Sequence, residues 1–278
     1  MDNMVLLSFA YTFLSTFAVS HVLPVSGSPA PAGVITPLTK AEITSFKPFS
    51  YYANTAYCDP SFTRNWTCGL NCEANPTFEP VASGGDGDKV QFWFVGFDPT
   101  LDTVVVSHQG TDFSKIHAVL TDADVNMTKL DSGLFPGVSR YVEIHRGFGD
   151  AHARIASTIL AEGIHLVNFQ ANSVATQGLA YNISLGAAIA LLDSVFLALY
   201  LHNVIFKTVV YAMPRVGNQA FADYVDEHLY DFHHINNKKD PVAISPERFL
   251  GYHHPSGEIH IGDDNAWYVC PDKGDMRY

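Results

Sequence analysis

Hydrophobic positions along this chain follow two periods in turn. The runs KVQFWFVGFD (residues 89–98) and DTVVVSHQGTD (102–112) are β-branched and aromatic, and the turn DPTLD separates them, so they predict paired strands. YVEIHRGF (141–148) predicts another short strand. GDAHARIASTILAEG (149–163) predicts a helix with Ala151, Ile155, Ile159 and Leu160 as its apolar residues and Gly163 closing it. SLGAAIALLDSVFLALYLH (184–202) is apolar almost throughout, as a helix buried on all sides must be. VIFKTVVYAMP (204–214) then reads as a buried strand, GNQAFADYVDEHL (217–229) as an amphipathic helix and YDFHHINN (230–237) as a strand. Upstream, LTKAEITSFKPFSYYANTAYC (38–58) reads as one helix capped by Thr39. Strands alternating with helices predict an α/β fold with a mostly parallel central sheet flanked by helices. One interval breaks the pattern. HLVNFQANSVATQGLAYNI (165–183) has only Val174, Leu179, Tyr181 and Ile183 around Gly178, poor material for a strand.

Composition narrows the partners. A hydrophobic share of 47% over 278 residues supports a buried core, and a formal net charge of -12 without a basic patch argues against nucleic acid. Residues 4–19 form an apolar run, followed by small residues and VLPVSGSPAPAG, which predicts a secretory signal over residues 1–27 and one domain over 28–278. A signal anchor is the alternative, although the run is short for a span of about 20 residues. Asn65-Trp66-Thr67 and Asn126-Met127-Thr128 are sequons in keeping with an extracellular, glycosylated protein. In that setting Cys68 and Cys72 can close a local bridge, with zinc as the competing use of the pair. His233, His234, Asp263 and Asp264 lack metal-ligand spacing, so no metal and no cofactor are expected.

Hydrolysis by acyl transfer needs a nucleophile, a histidine base, a carboxylate to orient it and donors for the oxyanion. Ser184 stands just before the long apolar helix, where free N–H groups and the helix dipole favour negative charge, and the Leu185 N–H would be one oxyanion donor. Ser184 reads equally well as a plain helix cap. Asp240 follows an apolar strand, at the edge where α/β folds keep functional carboxylates, and reads equally as a turn residue before Pro241. Gly110 and Thr111 follow a buried strand, so Thr111 would supply the second oxyanion donor. Beyond them Phe113, Ile116, Val119 and Leu120 form a stripe suited to a lid or to a surface helix.

The motifs SHQGTD, EIHRGF, SLGAAIALLDS, YAMPRVGNQAFADYV, INNKKDPV and GYHHPSGEIHI together resemble the class 3 fungal lipase family, which includes feruloyl esterases. The resemblance runs from about Phe46 to Cys270. It implies an α/β-hydrolase fold, a monomeric secreted esterase or triacylglycerol lipase working on ester or lipid substrates, Ser184 as nucleophile and Asp240 as triad acid. It further implies Thr111 and Leu185 as oxyanion residues and a lid beginning near Asp112. Two departures stand out. The family turn reads G-H-S-L-G, whereas Asn182 and Ile183 precede Ser184 here, an interruption that a mis-spliced stretch over 163–183 would explain. The family's catalytic histidine lies beyond a C-terminal cysteine pair, so it is expected to be absent from these residues, with Cys58 and Cys270 left without their usual partners. His253, His254 and His260 follow Asp240, and of these His254 and His260 align with non-catalytic positions. The expectation is therefore an impaired hydrolase, and the competing one is a non-catalytic protein that binds acyl or aromatic ligands.

Overall fold

The structure, a computed structural model, describes residues 35–110, 125–169, 173–178 and 185–271. The expected signal segment lies outside them. Among the described residues no helix is long and apolar enough to cross a membrane.

The sheet is built outward from its buried middle. Strands β1 (Thr36–Pro37), β2 (Glu79–Gly84), β3 (Trp93–Asp98) and β4 (Thr103–His108) come first in the chain. A second, four-stranded sheet takes β5 (Met127–Lys129), β6 (Glu143–His145), β9 (Gly217–Asn218) and β11 (Tyr252–His253). The large sheet is completed by β7 (Ser173–Gly178), β8 (Ile205–Tyr211), β10 (Asp231–Asn237), β12 (Glu258–Ile261) and β13 (Trp267–Val269), in the order β1-β13-β12-β10-β8-β7-β4-β3-β2. Strands β4, β7, β8, β10 and β12 run parallel, and the flanking strands pair antiparallel. The central sheet is therefore mixed, with the predicted parallel part at its heart.

Both faces of that heart are covered, which is why β4 carries valines on both of its sides. Val95, Val104, Val106 and Val210 point into one core, shared with helices α5 (Arg146–Ala153), α6 (Ala156–Phe169) and α7 (Leu185–Tyr200). Alternate residues Phe94 and Val105 point the other way. On that side lie α1 (Lys40–Ser45) and α2 (Lys47–Thr55), whose Phe49 and Tyr52 are buried. Short helices α3 (Pro60–Asn65) and α4 (Leu70–Glu73) follow, and the Cys68–Cys72 disulfide, with its Cα atoms 5.3 Å apart, ties the segment between them to α4. That bond removes these two thiols from any zinc site. Helix α8 (Gln219–His228) follows β9, capped by the Asn218 side chain, which accepts from the Phe221 N–H at 2.9 Å.

Local chemistry revises four predicted boundaries. The single helix over 38–58 is two, divided at Phe46, because Pro48 cannot donate to the preceding turn; Thr39 and Glu42 form a capping box at its start as expected. The strand predicted over 141–148 stops at His145, whose Nδ1 accepts from the Gly147 N–H at 3.1 Å and caps α5 three residues early. Helix α6 runs through Gly163 to Phe169, since a glycine inside a packed helix costs only about 1 kcal/mol. The interval read as poor strand material holds β7, paired in parallel with β4 on one side and β8 on the other. Two waiting strand edges override weak local propensity there.

The first side-chain tie across the sheet is made by Tyr52, whose hydroxyl donates to Asp98 Oδ2 at 2.5 Å, while Asp98 Oδ1 accepts from the N–H groups of Thr100 and Leu101. Tyr52→Phe leaves one oxygen of a buried carboxylate without its donor. The expected effect is a loss of about 1.5–3 kcal/mol in urea unfolding, with the fold retained; a change below about 0.5 kcal/mol would count against this bond as a tie.

Candidate active site

Helix α7 begins at Leu185, as predicted, and is the next described element after β7. Its first turn lies against the end of β4. A Cβ added at Gly186 would fall 2.6 Å from the Gln109 carbonyl oxygen and 2.8 Å from that of His108, so only glycine permits this approach. The end of β4 is held from its other side too. The Gln109 N–H donates to Phe92 O at 2.7 Å, and its side-chain Oε1 accepts from the Phe92 N–H at 2.9 Å. Leu185 is thereby brought beside the residues that lead through Gly110 into Thr111. Thr111 itself, Ser184, Asn182 and the lid expected from Asp112 lie outside the described residues.

Asp240 follows β10 by three residues, at the same C-terminal edge of the parallel strands. Its carboxylate is half-buried and accepts from the Val242 N–H at 3.0 Å, and burial raises its pKa above the ordinary carboxylate range, with only that hydrogen bond opposing. The segment beyond it is fastened by Arg215, whose guanidinium donates to the carbonyls of Ile244 and Pro246. Asp240 lines a cavity of about 480 Å³ between α1, α2 and the sheet, shared with Phe46, Lys47, Tyr211, Ile261 and Trp267.

Among the described residues no histidine reaches Asp240. His254 is within hydrogen-bonding distance of Ala243 O at 2.6 Å, is stacked on His234 and is held well below the ordinary imidazole range, at about 3, mainly by burial. His260 lies 3.5 Å from Glu258, and His253 sits on β11 opposite Gly217. Cys58 and Cys270 are free thiols. Burial raises both thiol pKa values, that of Cys270 to about 12 with the Glu258 carboxylate adding to the effect. Among the described residues no three His, Cys, Asp or Glu side chains gather as for a metal ion.

One polar group at this edge escaped the sequence reading. His108 Nε2, on the last residue of β4, lies 2.5 Å from Asp193 Oδ2 on α7. His152 Nε2, on α5, lies 3.0 Å from Asp193 Oδ1, close enough for an ion pair though off hydrogen-bond alignment. All three residues are fully buried. Burial by itself would raise the Asp193 pKa, but the two imidazoles outweigh it and hold the group at about 2. The signal was present: Asp193 is the sole charged residue in LGAAIALLDSVFLALY.

A helix launched from the C-terminal edge of parallel strands, with its first turn pressed on the neighbouring strand end and a carboxylate two strands away, defines the α/β-hydrolase class of fold. Solved fungal lipases superimpose on it. A triacylglycerol lipase whose catalytic centre is a serine protease triad aligns over 86% of this chain and 88% of its own with a TM-score of 0.75 at 23% identity. The Rhizomucor miehei lipase propeptide complex aligns over 88% of this chain and 77% of its own, with a TM-score of 0.74 at 21% identity. In sequence, the profile of class 3 lipases matches residues 105–249. The secreted mono- and diacylglycerol lipase LIP2 of Malassezia restricta is 34% identical over 194 residues, 68% of this chain and 60% of the relative. MDL2 of Malassezia globosa, of the same description, is 32% identical over 171 residues, 60% of this chain and 55% of its own. The chain belongs to the class 3 lipase family. It spans about 60% of the length of the first of these relatives.

The Gly186 contact gives a direct test. Gly186→Ala forces a methyl group into two backbone carbonyls that no rotamer can move. The expected loss is about 1–3 kcal/mol in thermal or urea unfolding, whereas Gly163→Ala, inside α6 with only the Leu201 and Leu197 side chains near its Cβ position at 3.8 Å and 4.0 Å, is expected to lose nothing. Equal losses would remove the close approach as the reason for Gly186.

Proposed function

We propose that this protein is a secreted carboxylic ester hydrolase acting on acylglycerols by acyl-enzyme chemistry, with residues 28–278 as its hydrolase domain. In this reading Ser184 attacks the ester carbonyl, the Leu185 N–H and Thr111 receive the oxyanion, and Asp240 orients the histidine base. The observation that carries it is the approach of α7 to β4 at Gly186, since it brings Leu185 beside the strand end that continues into Thr111. Donors there act on charge as it develops, and each is worth on the order of 10²–10³ in rate. The names of the Malassezia relatives support mono- and diacylglycerols as the first substrates to try and support secretion; a lipid–water interface is the setting this reading gives such substrates.

In this reading the base is the part that the described residues do not supply. No described histidine meets Asp240, whose polar contact is the Val242 N–H. A serine without its base loses on the order of 10⁶ in turnover, keeping what binding and the oxyanion donors supply. A second reading has its own support: the cavity beside Asp240, with Phe46, Tyr211 and Trp267 in its wall, suits an acyl or aromatic ligand held without turnover.

Two experiments separate these readings. Hydrolysis of p-nitrophenyl butyrate by the purified protein is expected to lie near background, and free imidazole, supplying the base beside Asp240, is expected to raise it in a manner that Ser184→Ala removes. Strong imidazole-free hydrolysis abolished by Ser184→Ala would overturn the impairment. An imidazole effect indifferent to Ser184 would leave the binding protein as the answer.

The second concerns Asp240. Its raised pKa means that the native state holds the proton more tightly than the unfolded chain does. Stability therefore falls as pH rises from about 4 through the raised value, and the loss is complete above it. Asp240→Asn keeps the acceptor for Val242 and removes the charge. It is expected to raise Tm at about pH 7, to leave it unchanged at about pH 3.5, and to abolish imidazole-dependent hydrolysis. A lower Tm at the higher pH would mean that Asp240 serves the fold instead.

A further inference from the structure

Helix α7 meets β4 at two places. At its first turn the contact is backbone against backbone, through Gly186 and the carbonyls of His108 and Gln109. Two turns further along, Asp193 takes the side chain of the same strand end, with His108 Nε2 2.5 Å from Oδ2. One contact fixes a separation; two along a helix also fix its tilt and its rotation about its own axis. The second contact is reinforced from α5 by His152, itself wedged between the rings of Phe135 and Phe196, whose centroids lie 5.4 Å and 5.3 Å from its own. From the other side, Ser194 is hydrogen-bonded to Thr208 of β8 at 2.7 Å.

A buried cluster of this kind contributes little net stability, because apolar side chains of the same volume would avoid its desolvation cost. What it supplies is direction. A charge-assisted bond in an apolar surrounding weakens steeply when its partners slide, whereas apolar packing tolerates a slip. The direction matters here because both ends of the clamp lead to the oxyanion donors: His108 runs through Gln109 and Gly110 to Thr111, and α7 begins with Leu185.

We propose that His108 and Asp193, seconded by His152, are positioning residues: their buried cluster sets the rotation and tilt of helix α7 against β4 and so aligns the Leu185 N–H with the end of β4 for an anionic tetrahedral centre. The proposal rests on the ester-hydrolase reading of the same site. Asp193 stays ionised at working pH, so its bond to His108 keeps full strength there.

The test uses 1-butaneboronic acid, which needs no turnover. The Ser184 oxygen forms a bond to boron, its proton passes to solvent, and boron becomes a tetrahedral anion facing the oxyanion donors. Butyramide serves as the neutral ligand of the same length. His108→Leu is expected to weaken boronate binding about tenfold or more, since misplacement by about 1 Å forfeits up to 10²-fold, while butyramide affinity stays put. His108→Gln, which keeps an N–H for Asp193, is expected to recover most of the loss. Asp193→Asn, isosteric and uncharged, is expected to give the same split and stands in if His108→Leu fails to fold. Boronate affinity unchanged in His108→Leu or Asp193→Asn, an equal loss for both ligands, or no recovery in His108→Gln would each overturn the positioning role. Wild-type binding of boronate that ignores Ser184→Ala would overturn the hydrolase reading, and this role with it.

Discussion

The approach of helix α7 to strand β4 is the constraint from which the rest of the molecule follows. A helix can come so near a strand end only if it carries no side chain at the point of contact, and Gly186 meets that need. Once the helix sits there, its almost wholly apolar surface must be buried on every side. The first core supplies the burial, with α5 and α6 beside it and Val104, Val106 and Val210 beneath. The chain that enters the helix must come from the slot next to β4, and β7 fills that slot with hydrogen bonds to both neighbours. Position, burial and sheet order are thus three consequences of one backbone contact.

Charge is distributed around this frame in two ways. Deep in the core, Asp193 and Asp98 are ringed by donors and imidazoles, so their charges stiffen what they touch. At the strand edge, Asp240 has a single backbone donor and is left strained by burial. Carboxylates of the first kind hold elements together; perturbed groups of the second kind are where function tends to gather.

The sequence made the strong elements plain. Strands β3 and β4, the helix from Leu185, β8, α8 and β10 all lie within the runs that periodicity marks out, because their burial imposes one pattern over many residues. The capping box at Thr39 and the Cys68–Cys72 bridge were legible for a different reason: both are short-range, so spacing alone defines them. What spacing could not convey was anything fixed by distant partners. Strand β7 forms because two edges wait for it, α5 starts early because His145 turns its ring onto Gly147, and neither fact is written in local propensity. Likewise Asp193 is a lone charge in an apolar helix, yet it passed unread because its meaning depends on His108, 85 positions earlier in the chain. The candidate site was half legible for the same reason: Leu185 and Asp240 could be assigned an edge of the sheet, while the clamp beneath them is a property of the fold.

Cys270 carries a last consequence. With its thiol pushed up to about 12 and its backbone N–H held by Glu258 O at 2.9 Å, it is protonated and sheltered in the native protein. Thiolate, not thiol, attacks disulfides and alkylating reagents, so this sulfur is silent as long as the strand edge stays closed. Modification of Cys270, just past β13, therefore reports that this shelter has been lost locally. The residue is a clock for the breathing of an edge whose Ile261 and Trp267 share a cavity with Asp240, and it is read on the native sequence, with no substitution introduced.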